Sequence, residues 1–295
     1  MVGNLIADNG AVGIDVNATV GGHTIENNTV QNSGLLGTQT AGLRMKNHDN
    51  TVRFNVFQNN AGPGISVEGG AGAALRNLLS QNEYATNGGL SIDLALLAGA
   101  DDLGVGGNPN DAATNVTHGN VGLDHPVITS AQHDGATTTV DGTTCGVCRV
   151  EVYRVVGGAG DAGPGGDHGE GVEYLGFTSA NPAGDFSFAT TLVGLADEVS
   201  AIAINGTNNS SEFGANVTVV PARTITGTVF EDVVGDALAV GALADADNPA
   251  VPGVTVSLYR DGGDGIPDGG DDGAPIATTA TNASGQFTFG SLPSD

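Results

Sequence analysis

Asn28-Thr29-Val30-Gln31-Asn32-Ser33 and Asn55-Val56-Phe57-Gln58-Asn59-Asn60 are two copies of one phrase, and their repetition decides the fold. Asn4-Leu5-Ile6-Ala7-Asp8-Asn9 precedes them and Asn77-Leu78-Leu79-Ser80-Gln81-Asn82 follows, so the copies start 24, 27 and 22 residues apart. Each opens on Asn, has an apolar residue two later, and Asn or Ser at its end. A second phrase follows each: Gly13-Ile14-Asp15-Val16, Gly42-Leu43-Arg44-Met45, Gly64-Ile65-Ser66-Val67 and Gly89-Leu90-Ser91-Ile92. Self-similarity at this period is the signature of a solenoid.

Within the phrases apolar and polar residues alternate, which is the period of a strand. Ile14 and Val16 are expected inside and Asp15 outside. Short strands stacked coil on coil, about 4.8 Å apart, make a parallel β-helix, and Asn recurring at a corner stacks on itself. Its amide hydrogen-bonds a sharp turn, and Asn tolerates the left-handed backbone that corners need. A disordered, Asn-rich tract is the alternative, but the apolar ladder is too regular for solvated chain. Ile14, Leu43, Ile65 and Leu90 should therefore stack inward, with Ile65→Asp unfolding the coils and Ser66→Asp nearly silent.

These phrases resemble the right-handed parallel β-helix repeats of pectate lyases, polygalacturonases and many secreted surface proteins, over residues 1–98. The resemblance implies a fold more than an activity. Enzymes on this scaffold cut acidic polysaccharide with clustered carboxylates, or with calcium and a basic residue. Neither cluster is legible: the bases of the repeats are Arg44, Lys46, Arg53 and Arg76, with only Arg44 outward within a phrase, and His23 and His48 stand apart.

Composition agrees with an all-β chain rich in turns: 49 Gly and 11 Pro in 295 residues, with no Trp. Thirty-three acids against 8 bases give a formal charge of −25, and Lys46 is the single lysine. Nucleic acid and anionic membrane would be repelled, and cations are the natural partners. Such a surface suits high salt, storage of divalent ions, or simply a secreted protein with acidic loops. No apolar run approaches a membrane span, so no membrane insertion is expected, and no secretion signal opens the chain. Met1 falls just before a complete coil with no capping segment and the chain stops at Ser291-Leu292-Pro293-Ser294-Asp295, where a strand pattern is about to resume, so a slice from a longer protein is the expectation.

Residues 99–124 read as an acidic, Gly/Asn-rich linker. Residues 125–221 then carry seven short alternating strands, the count of a β-sandwich. The linked phrases Gly89-Leu90-Ser91-Ile92-Asp93-Leu94, Asp124-His125-Pro126-Val127-Ile128, Val150-Glu151-Val152-Tyr153, Glu173-Tyr174-Leu175-Gly176 and Asn208-Asn209-Ser210-Ser211-Glu212-Phe213 resemble the immunoglobulin-like modules that follow β-helix repeats in bacterial and archaeal surface proteins. An inserted Gly-rich stretch, Gly157 to Gly171, reads as a solvated hairpin tip carrying Asp161, Asp167, His168 and Glu170. Cys145-Gly146-Val147-Cys148 lacks the second pair a zinc site needs and the helix a redox motif needs, so a local disulfide in an oxidising compartment is expected. Its short loop predicts modest stabilisation.

Residues 222–295, through Thr224-Ile225-Thr226-Gly227-Thr228-Val229-Phe230, Pro252-Gly253-Val254-Thr255-Val256-Ser257-Leu258-Tyr259 and Ile276 to Phe289, resemble the B-type, prealbumin-like repeats of collagen adhesins and serine-aspartate surface proteins, here incomplete. The Lys-Asn isopeptide bond of some such repeats is excluded, because this region has no lysine. The resemblance also implies calcium in acidic loops. Glu231, Asp232, Asp236, Asp245 and Asp247 surround one loop, and Asp261, Asp264, Asp268, Asp271 and Asp272 crowd another, without EF-hand spacing. The expectation is an all-β chain: a short parallel β-helix and two β-sandwich modules, forming a stalk or adhesion segment of an extracellular or cell-surface protein. Calcium, carbohydrate and another surface protein are the expected partners. A polysaccharide lyase or hydrolase with active coils before Met1, and a non-catalytic carbohydrate-binding module, are the alternatives. The six scattered histidines give no convergent catalytic cluster.

Overall fold

The computed structural model of this chain describes residues 1–17, 20–36, 40–70, 72–95, 108–110, 117–156, 162–163, 166–231, 249–260 and 273–292. Two compact units are present, Met1–Pro221 and Ala222–Asp295.

The first unit opens with about three coils of parallel solenoid. Coil one carries β1 (Leu5–Ala7), β2 (Ile14–Val16) and β3 (Thr24–Glu26). Coil two carries β4 (Thr29–Gln31), β5 (Leu43–Met45) and β6 (Thr51–Arg53). Coil three carries β7 (Val56–Gln58), β8 (Ile65–Val67) and β9 (Leu78–Ser80), and β10 (Glu83–Ala85) and β11 (Ile92–Leu94) begin a fourth. They stack as three sheets, β1-β4-β7-β10, β2-β5-β8-β11 and β3-β6-β9. Strand alternation decides which residues face inward: the middle ones, Val30, Phe57 and Tyr84, in the first sheet, but the flanking ones, such as Leu43 and Met45, in the second.

The register corrects the alignment read from sequence. Asn77-Leu78-Leu79-Ser80 is not the fourth copy of the Asn55 phrase, because β9 pairs with β6, Thr51 opposite Leu78. The true copy begins at Asn82, with Glu83 opposite Val56. Likewise Ile65 stacks on Ile92 rather than Leu90. A slip of two residues preserves the in-out parity, so alternation alone cannot detect it. Ser66, expected to be exposed, is fully buried between Arg44 and Asp93 in the ladder, so Ser66→Asp is not a silent control.

Three buried corners repeat an Asn ladder. Asn28 Oδ1 accepts the Asn4 backbone N–H at 3.0 Å, Asn55 Oδ1 that of Asn28 at 2.9 Å, and Asn82 Oδ1 that of Asn55 at 3.0 Å. Asn50 and Asn77 form a second ladder, and Asn60 and Asn87 a third that starts from Ser33. The left-handed residue is the one before each ladder position: Asn27, Phe54 and Gln81 in the first, Asp49 and Arg76 in the second, Asn32, Asn59 and Thr86 in the third. Corner geometry therefore demands two residues, one tolerant of positive φ and one amide that reaches the next coil.

After the coils, a tight turn at Gly119–Gly122 leads to β12 (Val127–His133), β13 (Thr138–Thr143) and β14 (Arg149–Val155). A short hairpin, β15 (Ala162–Gly163) and β16 (Gly166–Asp167), precedes β17 (Gly171–Ser179), β18 (Asp185–Thr190), β19 (Glu198–Ile204), β20 (Val217–Thr218) and β21 (Val220–Pro221). These strands give two four-stranded sheets, β18-β13-β12-β21 and β17-β14-β19-β20. Val140 and Phe186 of the first pack with Val150, Val152 and Ala201 of the second. A disulfide joins Cys145 to Cys148 in the turn before β14.

The second unit holds two small antiparallel pairs. β22 (Arg223–Thr228) lies beside β25 (Gln286–Leu292), and β23 (Thr255–Leu258) beside β24 (Ala277–Ala280). Gly285 at φ +70° turns the chain into β25, and a Cβ there would meet Ala250 at 2.8 Å.

Two substitutions separate the corner requirements. Asn55→Ala strips partners from the buried Asn28 N–H and the carbonyls of Ile25 and Arg53, so a loss of about 2–4 kcal/mol in chemical denaturation is expected. Phe54→Asn, at φ 59° and 43% exposed, should instead gain up to about 1 kcal/mol, because Asn adopts the left-handed region at lower cost.

Candidate functional site

In a parallel stack each coil donates N–H groups to the next, and the last coil has no next coil. Here side chains of the segment after the solenoid take that place. Glu151 accepts the Ser80 hydroxyl at 2.6 Å and the Gln81 N–H at 2.8 Å. Glu170 accepts the Asn87 N–H at 2.6 Å, and Glu212 the Leu94 N–H at 2.9 Å. Ser210 Oγ accepts from Leu79 N–H at 2.8 Å and donates to its carbonyl, Asn209 takes the Arg76 N–H, and Asn120 Oδ1 continues the second Asn ladder at Asn77. Three carboxylates, all buried, thus cap one coil.

Apolar packing reinforces the cap. Phe213 lies edge-on to Tyr84 at 5.7 Å and to Tyr153 at 5.1 Å between ring centres, and Tyr84 stacks on Phe57 of the coil below. Tyr153, Val155, Ile202 and Phe213 belong to the same buried cluster as the solenoid core. β14 sends Val150 and Val152 to one side and Tyr153 and Val155 to the other, so it is buried on both faces.

Glu151 is held by four partners, the coil's Ser80 and Gln81 together with Arg149 at 3.0 Å and the Tyr153 hydroxyl at 2.9 Å. Arg149 in turn lies 3.6 Å over the Phe177 ring. Tyr153 is pushed well above the ordinary tyrosine range by burial and by the Glu151 charge. Glu170 is raised by burial, partly offset by its hydrogen bonds to Asn87.

The inserted stretch differs from the solvated tip expected of it. Asp161 lies outside the described residues and Asp167 is exposed, but Glu170 is a cap residue and His168 is 1% exposed, its Nδ1 donating to the Phe213 carbonyl at 2.8 Å. Nor are all six histidines scattered, since His125 and His168 meet edge to face at 5.0 Å. Nothing in sequence joins positions 43 apart, and Glu151 sits among Arg149, Tyr153 and Arg154 in a strand of mixed polarity, so no local signal marks it as a cap residue.

The bases of the solenoid are committed between coils. Arg44 pairs with Asp15 at 2.8 Å, Arg53 with Glu26 at 2.5 Å, Arg76 with Asp49 at 2.6 Å, and Lys46 lies 3.4 Å from Glu68. His48 Nδ1 accepts the Leu75 N–H, another link between coils. Among the described residues no three His, Cys, Asp or Glu side chains converge as a metal site. Of the calcium candidates, Glu231 is exposed; Asp232, Asp236, Asp245, Asp247, Asp261, Asp264, Asp268, Asp271 and Asp272 lie outside the described residues. No helix is long and apolar enough to cross a membrane.

Residues 1–108 match a protein-family model described as a right handed beta helix region. Comparison with curated proteins gave no match. The β-solenoid accords with a structural or a carbohydrate-related role.

Glu151→Ala should cost about 3 kcal/mol or more, since it takes the carboxylate from Arg149 and the acceptor from Tyr153 and from two groups of the last coil. Glu170 has the opposite pH signature to most carboxylates. Its folded value is raised, so its contribution is full below about 4.5 and is lost as pH rises through the folded value. Glu170→Gln keeps the acceptor without the charge, so its gain over the parent should grow with pH in urea titrations between pH 4.5 and 7.5.

Proposed function

We infer that this chain is a spacer segment of a secreted or cell-surface protein, a stalk whose modules present an adhesion surface at a distance. The observation that carries this reading is the shared core of the last coil and residues 117–221. A side-chain cap of three buried carboxylates and an aromatic cluster joins them directly, while most of the linker expected at 99–124 lies outside the described residues. In this reading residues 125–221 are an immunoglobulin-like β-sandwich and 222–295 an incomplete B-type repeat, with calcium bound by the acidic loops around Asp245 and Asp268. The Cys145–Cys148 disulfide fits an oxidising, extracellular setting. A non-catalytic role is favoured because the four solenoid bases are held in ion pairs, leaving none placed to bind uronate or remove a sugar proton.

Calorimetry of the whole chain tests the rigid-spacer reading. The solenoid and residues 117–221 should melt in one transition, and separate transitions for the two would remove it. Calcium should raise the melting temperature of the 222–295 unit relative to sodium at matched ionic strength, and EDTA should reverse the shift. Equal melting in both salts removes calcium. Turnover of pectin, alginate or a neutral glucan would replace the spacer reading with the enzyme.

A further inference from the structure

His125 lies at the start of the module that caps the solenoid and His168 near its middle, just before β17, and they meet at the junction. His168 Nδ1 donates to the Phe213 carbonyl, and His125 Nδ1 faces the Pro126 carbonyl at 3.3 Å. That fixes the Nδ1–H tautomer on both rings. His125 is 8% exposed, and its Nε2 is buried without a hydrogen-bond partner. The backbone on either side is clamped: Asn110 brackets the His125 N–H and carbonyl, and Asn216 brackets the Gly169 N–H and carbonyl.

We propose that His125, buried against His168 with no acceptor for its Nε2, is an acid-sensitive latch through which protonation opens the junction between the last coil and its cap before the coils themselves unfold. A proton on His125 would place a cation in a site that offers its Nε2 no acceptor and sets a second imidazole 5.0 Å away. The route to the cap is short. Phe213, which receives His168, is the ring that packs Tyr84, and its neighbour Glu212 holds the Leu94 N–H.

Among the described residues, the ionisable groups on the segments that meet there are Asp124 beside His125, Asp167 and Glu170 flanking His168, Glu212 beside Phe213, and Asp93 on β11. Burial lowers the His125 value most and His168 adds to it, against the Pro126 carbonyl and Asp124, which favour the cation, and the net direction is downward. The sign follows: a lowered histidine contributes stability above about 6.5 that is lost as pH falls through its folded value. Glu170 acts oppositely, gaining as pH falls, so the latch must be read as a difference between variants.

The test is hydrogen exchange on the whole chain at pH 7.5 and 5.5, corrected for intrinsic rates. Protection at the Leu79, Asn87 and Leu94 amides should fall about tenfold for each pH unit below the ordinary histidine value, while Val30 and Val52 hold theirs. His125→Asn, which cannot ionise, should flatten the junction response and leave the Glu170 trend. Should that variant not fold, NMR titration of His125 in the parent chain replaces it. Midpoint below 6.5 together with junction-specific loss supports the latch. Uniform loss across all coils, unchanged protection at the junction, a parallel response in His125→Asn, or a His125 midpoint at or above 6.5 overturns it.

Discussion

An unmet backbone N–H in a dry interior costs about 1–3 kcal/mol, and a stack of short parallel strands creates one at every corner and a row of them at its end. This constraint organises the first 221 residues. At the corners it is met by Asn, whose Oδ1 receives the N–H of the preceding corner while its Nδ2 reaches a carbonyl below and one two residues back on its own turn, as Asn55 does for Asn28, Ile25 and Arg53. At the end of the stack it is met by Glu151, Glu170 and Glu212, whose carboxylate oxygens replace the carbonyls of a missing coil. A carboxylate accepts without needing to donate, so it suits an edge that presents only donors.

The acidity of the chain divides along the same lines. Asp15, Glu26, Asp49 and Glu68 neutralise the four bases of the solenoid across coils, where partly exposed pairs fix register more than they add stability. The cap carboxylates are buried and hydrogen-bonded, and Glu151 has an arginine as well. Much of the remaining acid lies in the Gly-rich stretches of sequence within residues 222–295.

The solenoid was legible in the sequence because period and alternation are local properties. Val30 and Phe57 announce the inward position, and Asn28 and Asn55 announce the corner. The phrase at Asn77 fits the template for a physical reason: each coil has three corners, most of them held by Asn, so this phrase satisfies the pattern while belonging to the second corner. The constant spacing of Asn28, Asn55 and Asn82, 27 residues each, carried the true register. The left-handed positions were partly hidden, since Phe54 and Thr86 occupy them as well as Asn27 and Asn59.

The sequence by itself determined that the chain is β throughout, that it begins as a coil, and that a different strand rhythm follows from residue 125. Those are consequences of side-chain periodicity and turn residues, which act within a few positions of themselves. Only the tertiary structure decided that the solenoid and the next segment share a core. In sequence Glu151, Glu170 and Glu212 look like ordinary surface acids of a strand of mixed polarity, a Gly-rich insertion and an Asn/Ser-rich turn. They become cap residues because folding brings them, across 70 to 118 positions of chain, to amides that no local partner can reach. Burial of both faces of β14 has the same origin, a second surface supplied by the end of the solenoid.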